Sequence, residues 1–484
     1  MSVASAHDLL GGLDGIARVQ GTRLLVDDDT RFRGESIDGL VEDAVFNPDE
    51  AVRDSARWLI WSASQSLGCG SASIHELYMA RGRGEFPATK FTVPAINVRA
   101  AAYLTARQAF AVALERDAGA VIFEIAKSEM AYTDQRPAEY TAVILAAAIR
   151  SGWIGPVFLQ GDHFQFNATK WAADPGTEMS GLKQVTSEAV AAGFCNIDID
   201  SSTLVDLSQP TASAEQLVNV ANTVELTALV RAIEPEGMTI SIGGEIGEVG
   251  KANSTEEELR AYLDGYFGML HGSGLAGISK VSIQTGTSHG GVVLPDGSVA
   301  QVKIDFDTMK RLSTVARDEY GLAGAVQHGA STLPEDAFHH FPANGTAEIH
   351  LATGFQNILY DGDGLPHALR AEMMAWCLAN CDDERKPGET DEQFLYKTRK
   401  KAIGPFKRAL WSLPADAQEQ IGANLRAKFG LLFDKLGIAG TRSLVDRFVP
   451  IPDLPRPLPS ALGGGQERAV VAGASVFEDD GSGE

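Results

Sequence analysis

Two acids and three histidines lie at the ends of short apolar segments in the middle of the chain. They are Asp162 and His163 in "GPVFLQGDHFQF", Glu245 in "MTISIGGE", His289 in "IQTGTSHGG" and His328 in "GAVQHGAS". A lone histidine of this kind is usually structural, but several imidazoles beside a carboxylate are typical ligands of a divalent metal. The set predicts a Zn²⁺ site with an open coordination position, another divalent metal being the alternative.

The elements that would bring these side chains together follow from the pattern after residue 89. Apolar or β-rich segments alternate there with helical patterns, at 90–97, 120–126, 155–161, 194–200, 238–245, 278–286, 324–329 and 347–354. The repeated strand-then-helix order predicts parallel strands with right-handed crossovers. Eight such units predict an α/β fold, a (β/α)8 TIM barrel, whose strands point their carboxyl ends at one mouth.

The remainder of the chain divides around this barrel. We expect a helical N-terminal extension over 1–88, without strands, and a barrel catalytic domain over 89–382. Helical patterns continue over 383–452 as a C-terminal extension. The last segment, 453–484, is rich in Pro, Gly, Ser and acidic residues, which predicts disorder.

The composition limits the kinds of molecule that this protein is expected to bind. The 484 residues carry a net charge of -23, which disfavours nucleic acids and anionic membranes and favours a small molecule. The four cysteines form no CxxC pair, which indicates a reducing, cytoplasmic environment. No signal peptide or membrane-spanning segment is expected. We also expect a homo-oligomer.

The order of four motifs carries a family resemblance. "QGDHF", "GEIG", "IQTGTSHGG" and "VQHGAS" resemble, in this order, the zinc-dependent class II fructose-bisphosphate and tagatose-bisphosphate aldolases. "KFTVPAIN" resembles the first strand of that family and "FCNIDIDSS" its fourth. The similarity covers roughly residues 85–362 and implies a lyase of carbohydrate metabolism.

The resemblance also implies roles for the first set of residues. His163, His289 and His328 would hold the zinc, and Glu245 would be an exchangeable ligand or support a second metal position. Asp162 would be the catalytic acid/base, taking the hydroxyl proton of the aldehyde-forming carbon during cleavage. Cleavage leaves an enediolate, and zinc stabilises its charge as a Lewis acid.

Four positions depart from the family pattern. Val293 stands where a lysine usually helps to hold the C1 phosphate of the ketose, and Ala126 stands where a serine is common. His350 replaces an asparagine and Gly354 replaces an acid on the eighth strand. These departures predict that the catalytic set is kept while the substrate set differs.

The remaining candidates concern substrate binding and a second proton transfer. Glu248 is the candidate base in the loop after the fifth strand. The acids that follow it in "STEEEL" are expected to begin the next helix instead, with a capping box of Ser254 or Thr255 with Glu257 or Glu258. Backbone amides and hydroxyls can cradle an anion, and loop cations can replace the missing lysine. The substrate-binding candidates are Gly290, Gly329, Ser331, His350, Thr353, Lys127 and Arg136.

We therefore expect a metal-dependent aldolase that acts on a ketose or ketose phosphate. A zinc-dependent sugar epimerase or isomerase would use the same mouth, since it also passes through an enediolate, but it needs a second acid/base. A noncatalytic subunit of an aldolase complex is the third possibility. It is weakened by Asp162 and the three histidines, which a structural chain has no chemical need to keep.

Overall fold

The computed structural model describes residues 3–247, 252–286, 294 and 304–465. Its strands begin with a two-stranded hairpin and continue with eight that form the barrel. They are β1 (Ala17–Gln20), β2 (Arg23–Val26), β3 (Val93–Asn97), β4 (Ile122–Ala126), β5 (Phe158–Gln165), β6 (Asn196–Asp200), β7 (Ser241–Glu245), β8 (Lys280–Ile283), β9 (Ala325–Gln327) and β10 (Glu348–Leu351).

Strands β3 to β10 form a closed parallel barrel in sequence order, with β10 pairing back onto β3. Each begins within or beside one of the eight segments expected from the sequence, so the prediction of a (β/α)8 barrel is confirmed. Nearly every residue of these strands is buried, because the helices cover the outside and side chains fill the inside. The carboxyl ends meet at one mouth.

Helices precede, surround and follow the barrel. The N-terminal ones are α1 (Ala6–Gly11), α2 (Asp29–Arg31), α3 (Ile37–Phe46), α4 (Glu50–Ser66) and α5 (His75–Gly82). Those of the barrel are α6 (Ala102–Glu115), α7 (Lys127–Tyr132), α8 (Pro137–Arg150), α9 (Ala168–Ala173), α10 (Pro175–Ala192), α11 (Ala212–Glu215), α12 (Leu217–Ile233), α13 (Glu256–Leu270), α14 (Phe306–Asp318), α15 (His340–Ala343) and α16 (Thr353–Asp361). The C-terminal ones are α17 (His367–Asn380), α18 (Asp391–Thr398), α19 (Lys407–Trp411), α20 (Ala415–Lys435) and α21 (Arg442–Phe448).

Short irregular turns complete these elements. A π-helical turn spans Phe32–Ser36, and 3-10 turns span Ser202–Leu204, Glu335–Ala337, Asp382–Glu384, Arg399–Ala402 and Ser460–Leu462. Helix α13 begins with the expected capping box, in which Thr255 accepts from the Glu258 amide and Glu258 accepts from the Thr255 amide. Among the described helices, none combines the length and the apolar character needed to cross a membrane.

The N-terminal extension closes the amino end of the barrel. Ser71 forms an isolated parallel β-bridge with Val157 just before β5. The Ser73 hydroxyl accepts a hydrogen bond from the Ser241 amide at the start of β7, at 2.9 Å. The Tyr78 hydroxyl of α5 reaches inside and donates to Glu348. The extension also contains the antiparallel hairpin of β1 and β2, where the sequence led us to expect helices without strands.

The C-terminal extension packs against the first and last helices of the barrel. Helix α20 contacts both α6 and α16. Beyond it, the indole nitrogens of Trp58 and Trp61 donate to the Arg456 and Leu454 carbonyls at 3.1 and 2.9 Å. The start of the tail that we expected to be disordered therefore lies along α4, because two tryptophans of that helix bind its backbone. Residues 466–484 lie outside the described residues.

A charged layer fills the barrel interior near its amino end, where aliphatic side chains usually pack. The Lys280 ammonium donates to Gln160 at 2.8 Å and to Asp198 at 2.9 Å, and it also contacts Glu348. The Gln160 amide donates to Glu124 at 2.9 Å. All five side chains are buried, so every charge in this layer depends on a partner for the hydration that it has lost.

The pKa shifts in this layer follow from burial and from Lys280. Burial acts to raise the pKa of Glu348, but Lys280 and His350 outweigh it and hold that pKa well below its usual value. Burial raises the pKa of Asp198, although Lys280 opposes the shift. Burial lowers the pKa of Lys280, but its two carboxylate partners leave it raised, so Lys280 is charged at neutral pH.

Removing this central cation should destabilise the barrel. We expect Lys280→Met to lower the free energy of unfolding by about 3 to 5 kcal/mol, because it leaves buried carboxylates without their counter-charge. Urea unfolding measures the loss, and adding Glu348→Gln should recover part of it. Arg260→Met is the control, because it breaks exposed ion pairs with Glu256 and Glu319, which solvent screens and which therefore contribute little to stability. A loss no larger than that of the control would contradict the role given to Lys280.

Candidate metal centre

A β-bulge in β5 places two adjacent residues in the mouth. Pairing with β6 shifts between Gly161 and Phe164, and His163 between them has a left-handed backbone with φ of 39°. Residues in a regular strand alternate between faces, and the bulge breaks that alternation. We expected the strand to end here, whereas it continues to Gln165. Only glycine fits at position 161, because a Cβ there would lie 2.5 Å from the Phe164 ring.

Three of the expected metal ligands come together in the mouth. His163 on β5, Glu245 at the end of β7 and His328 directly after β9 each offer a ligand atom, and these atoms all lie within 4.8 Å of one another. The His163 and His328 ring centroids are 4.1 Å apart, and His163 Nδ1 is 3.3 Å from Glu245 Oε2. All three residues are buried. Two imidazoles and one carboxylate at this spacing fit a zinc-type divalent ion.

Asp162 contacts β10, a fourth strand of the mouth besides β5, β7 and β9. Its Oδ1 is 3.0 Å from Nδ1 of His350 on β10, and the His350 ring centroid is 4.0 Å from that of His328. The other ring nitrogen of His350 is 2.7 Å from Glu348 Oε1. Asp162, His328 and His350 form a second group of potential ligands within 4.8 Å. His350 therefore joins the mouth to the charged layer of the barrel.

Two of the mouth histidines, His163 and His350, have raised pKa values. Burial acts to lower the pKa of His163, but Asp162, Glu245 and Asp200 outweigh it and raise that pKa well above its usual value. The pKa of His350 is raised in the same way by Glu124 and Asp162. Burial, together with Asp200, raises the pKa of Glu245 to about 7. Excess carboxylate charge thus draws cations into the mouth, either protons or a metal ion.

Three expected residues cannot be assigned a position. The zinc candidate His289, the candidate base Glu248 and the phosphate-cradle candidate Gly290 lie outside the described residues. Val293 does as well. Their roles stay predictions from the sequence.

The loops after β9 and β10 contact each other at the mouth. The Ser331 hydroxyl accepts from the Ala352 amide at 2.6 Å, just before Thr353 begins α16. A side chain at Gly354 would be tightly packed, because a Cβ would lie 3.0 Å from the Ser331 carbonyl oxygen. Gly329 has φ of 65°, which favours glycine. Ser331 and Thr353 are therefore adjacent, as their assignment to one anion cradle requires.

The two expected replacement cations bind other parts of the fold. Lys127 Nζ donates to the Gln165 carbonyl at 2.7 Å and lies 3.9 Å from Glu178. The Arg136 guanidinium makes a two-point contact with Glu188 of α10, with Nε at 3.0 Å from Oε1. Lys127 thus ties α7 to the end of β5, and Arg136 ties α8 to α10.

Several residues of the site were not anticipated from the sequence. Asp200 Oδ2 lies 3.2 Å from His163 Nδ1, and Asp200 Oδ1 accepts from the Ser202 amide at 2.9 Å. A carboxylate that orients a ligating imidazole is a common arrangement. The sequence signal that could have identified such residues is an acid inside an apolar strand whose two faces are both buried. That signal marks Glu124 in "VIFEIA", Asp198 and Asp200 in "NIDID", and Glu348 in "EIHL".

A family model described as fructose-bisphosphate aldolase class II matches residues 86–406, which include the whole barrel. The chain belongs to this family. The resemblance of the four motifs is thereby confirmed, and the buried groups described above are the candidate metal ligands of this class II aldolase family member.

Solved structures also resemble this class II aldolase family member. The fructuronate-tagaturonate epimerase UxaE from Cohnella laeviribosi is 11% identical, with a TM-score of 0.52 over 79% of this chain and 86% of that one. A fructose-bisphosphate aldolase from Campylobacter jejuni is 15% identical, with a TM-score of 0.46 over 77% and 97%. At these identities the likeness concerns the fold alone. No curated protein sequence matches the chain significantly.

The metal centre can be tested without a substrate. We expect His163→Ala and His328→Ala to lose most of the bound metal while the barrel stays folded, because each removes one of few ligands. Elemental analysis of the purified protein measures the metal, and circular dichroism measures folding. His339→Ala, an exposed histidine on the same chain, should keep the wild-type metal content. Full metal content in both mouth variants would rule out this site.

Proposed function

We propose that this protein is a metal-dependent aldolase, a lyase that cleaves and forms a C–C bond in a ketose or ketose phosphate. The observation that carries the proposal is the grouping of His163, Glu245 and His328 in the mouth with Asp162 directly beside them. Zn²⁺ is the metal that we propose, with His289 as a further ligand. When bound, it would polarise the substrate carbonyl and stabilise the negative charge that cleavage leaves there.

Asp162 is the proposed acid/base. It precedes His163 in the bulge, so its carboxylate and the ligand set face the same substrate. In cleavage it would take the hydroxyl proton from the carbon that becomes the aldehyde, and in condensation it would return that proton. His350 Nδ1, 3.0 Å from Asp162 Oδ1, would hold this carboxylate in position.

Replacing Asp162 separates proton transfer from metal binding. We expect Asp162→Asn to keep its metal and to bind ligand while kcat for retro-aldol cleavage falls by about 10²-fold or more, because an amide cannot accept the proton. Metal content and kcat are measured on the same preparation. Asp206→Asn, at an exposed loop carboxylate, is the control and should keep wild-type kcat. Unchanged turnover in Asp162→Asn would return Asp162 to a structural role.

The substrate should differ from that of a typical family member. Val293 replaces the lysine expected near a C1 phosphate, and Lys127 and Arg136 bind other groups of the fold. A doubly charged phosphate needs cations or several oriented donors when it leaves water. We therefore propose that the preferred ketose lacks a C1 phosphate.

Comparing substrates tests this proposal. We expect kcat/KM for fructose 1,6-bisphosphate to be at least about tenfold below that for the best ketose without a C1 phosphate, the order of one lost charge-assisted hydrogen bond. Lys127→Ala and Arg136→Ala should not change the ratio if these cations serve the fold. A clear preference for the bisphosphate in the wild type would contradict the proposal. A preference that one of these substitutions abolishes would assign the phosphate to that residue.

Epimerisation is the second candidate function. Its specific support is His350, an imidazole against Asp162 that could serve as the second acid/base, together with the fold shared with UxaE. Both reactions begin from the same ketose carbonyl, so the products distinguish them. Two shorter carbon chains indicate cleavage, whereas an intact sugar with one inverted centre indicates epimerisation.

A further inference from the structure

A cavity of about 120 Å³ lies between the loops that follow β6 and β7. Its walls are the segment after Asp200, the two residues after Glu245 and the residues around the start of α13. A cavity of roughly 150 Å³ admits a six-atom ring, so this one has room for a group of about four to six non-hydrogen atoms. That is the size of the last CHOH units of a sugar chain.

The cavity adjoins the candidate metal centre through Ser202. The Ser202 hydroxyl donates to Asp200 Oδ1 at 2.7 Å, and the other oxygen of Asp200 is 3.2 Å from His163 Nδ1. On another wall, Ile246 directly follows Glu245, which is one of the candidate ligands. A single carboxylate therefore separates the cavity wall from the His163 imidazole, so a sugar held at the metal can extend one end into the cavity.

Two hydroxyls of the wall are left as hydrogen-bond acceptors. A hydroxyl has one proton to donate and two lone pairs. Ser202 donates its proton to Asp200, and Thr203 donates its proton to the Phe166 carbonyl at 2.7 Å. Both oxygens can therefore still accept from a ligand, but neither can donate to one without giving up its present partner.

The charge of the cavity adds to this preference for a donor. Glu258 contributes a carboxylate, and none of the described residues that line the cavity is a lysine, arginine or histidine. The Ser254 hydroxyl accepts from the Gln284 amide at 2.9 Å, so its own proton can serve a ligand. A phosphate or carboxylate brings only acceptors and negative charge, which this wall repels. A neutral hydroxyl brings the donor that most of the wall lacks.

We infer that this cavity binds the uncharged, hydroxylated end of the ketose, on the carbons beyond the bond that is cleaved. The inference rests on the proposed function and names its substrate class, a ketose with neither a phosphate nor a carboxylate at that end. The sugar hydroxyls donate to Ser202, Thr203 and Glu258. The carbon chain between them packs on Val205 and Ile246, which line the same cavity.

Three sugars that differ only at C6 test the inference. Fructose has a hydroxyl there, 6-deoxyfructose lacks it, and fructose 6-phosphate carries a phosphate in its place. Calorimetric titration of the zinc-loaded full-length protein measures each Kd. We expect fructose to bind about twofold to tenfold more tightly than 6-deoxyfructose, the order of one neutral hydrogen bond, and at least about tenfold more tightly than fructose 6-phosphate.

A cation placed at the rim of the cavity should weaken this preference. Leu207 lines the cavity and is 69% exposed, so Leu207→Arg leaves the core intact and adds a guanidinium to a wall that has none among its described residues. We expect the Kd of fructose 6-phosphate, relative to that of fructose, to fall by about tenfold or more. Leu217→Arg is the matched control, because Leu217 is also an exposed leucine but lies outside the lining, and it should keep the wild-type ratio.

Filling the cavity is the second test. Ala252 is exposed and lines the cavity, so Ala252→Phe places a ring in this space without disturbing the core. We expect fructose binding to weaken by about tenfold or more, because the terminal hydroxyls lose their hydrogen bonds, while the metal content stays at the wild-type level. Ala415→Phe, at an exposed alanine where α20 begins, is the control and should keep the wild-type Kd.

The outcomes separate the inference from the proposed function. Equal or tighter binding of fructose 6-phosphate by the wild type, an unchanged ratio in Leu207→Arg, or unchanged fructose binding in Ala252→Phe would each overturn the inference, whatever the enzyme cleaves. A preference for fructose that depends on Leu207 and Ala252, with neither cleavage nor epimerisation of any ketose, would support the subsite and overturn the proposed function. Loss of all ketose binding in the zinc-loaded wild type would overturn both.

Discussion

Burying carboxylates inside the barrel is the constraint on which the rest of the structure depends. Acids from β4, β5, β6, β7 and β10 face a space from which water is largely excluded, and an ionised group there is stable only beside a counter-charge or a donor. Lys280 supplies the counter-charge near the amino end, and Tyr78 adds a hydroxyl from below. Near the mouth, His163 and His350 carry that role.

His350 links these two levels. One of its ring nitrogens faces Asp162 and the other faces Glu348, so the proposed acid/base is bound through one imidazole to the charged layer beneath it. The family resemblance leads one to expect an asparagine at this position. An amide there could not carry positive charge, whereas an imidazolium offsets the four acids around it, Glu124, Asp162, Asp198 and Glu348. His350 therefore suits the buried carboxylates that surround it in this barrel.

The two extensions pack against different parts of the barrel. The N-terminal extension covers the starts of β5 to β7 and inserts Tyr78, so it closes the end of the barrel away from the mouth. In the C-terminal extension, α20 packs against α6 and α16. The first extension therefore contacts the charged interior, whereas the second packs against the first and last helices of the barrel.

The sequence by itself determined the eight barrel strands, their order, and the strand ends that carry Glu245 and His328. These follow from local hydrophobic patterns, and parallel order then assigns every carboxyl end to one mouth. Only the tertiary structure decided the bulge at His163, the engagement of Arg136 by Glu188, and the buried ion pair of Arg99 with Glu129. Lys280 and Gln160 are 120 residues apart, and Lys280 and Glu348 are 68 apart. Such pairings depend on strand register and on which side chains share the interior, and no local pattern encodes either.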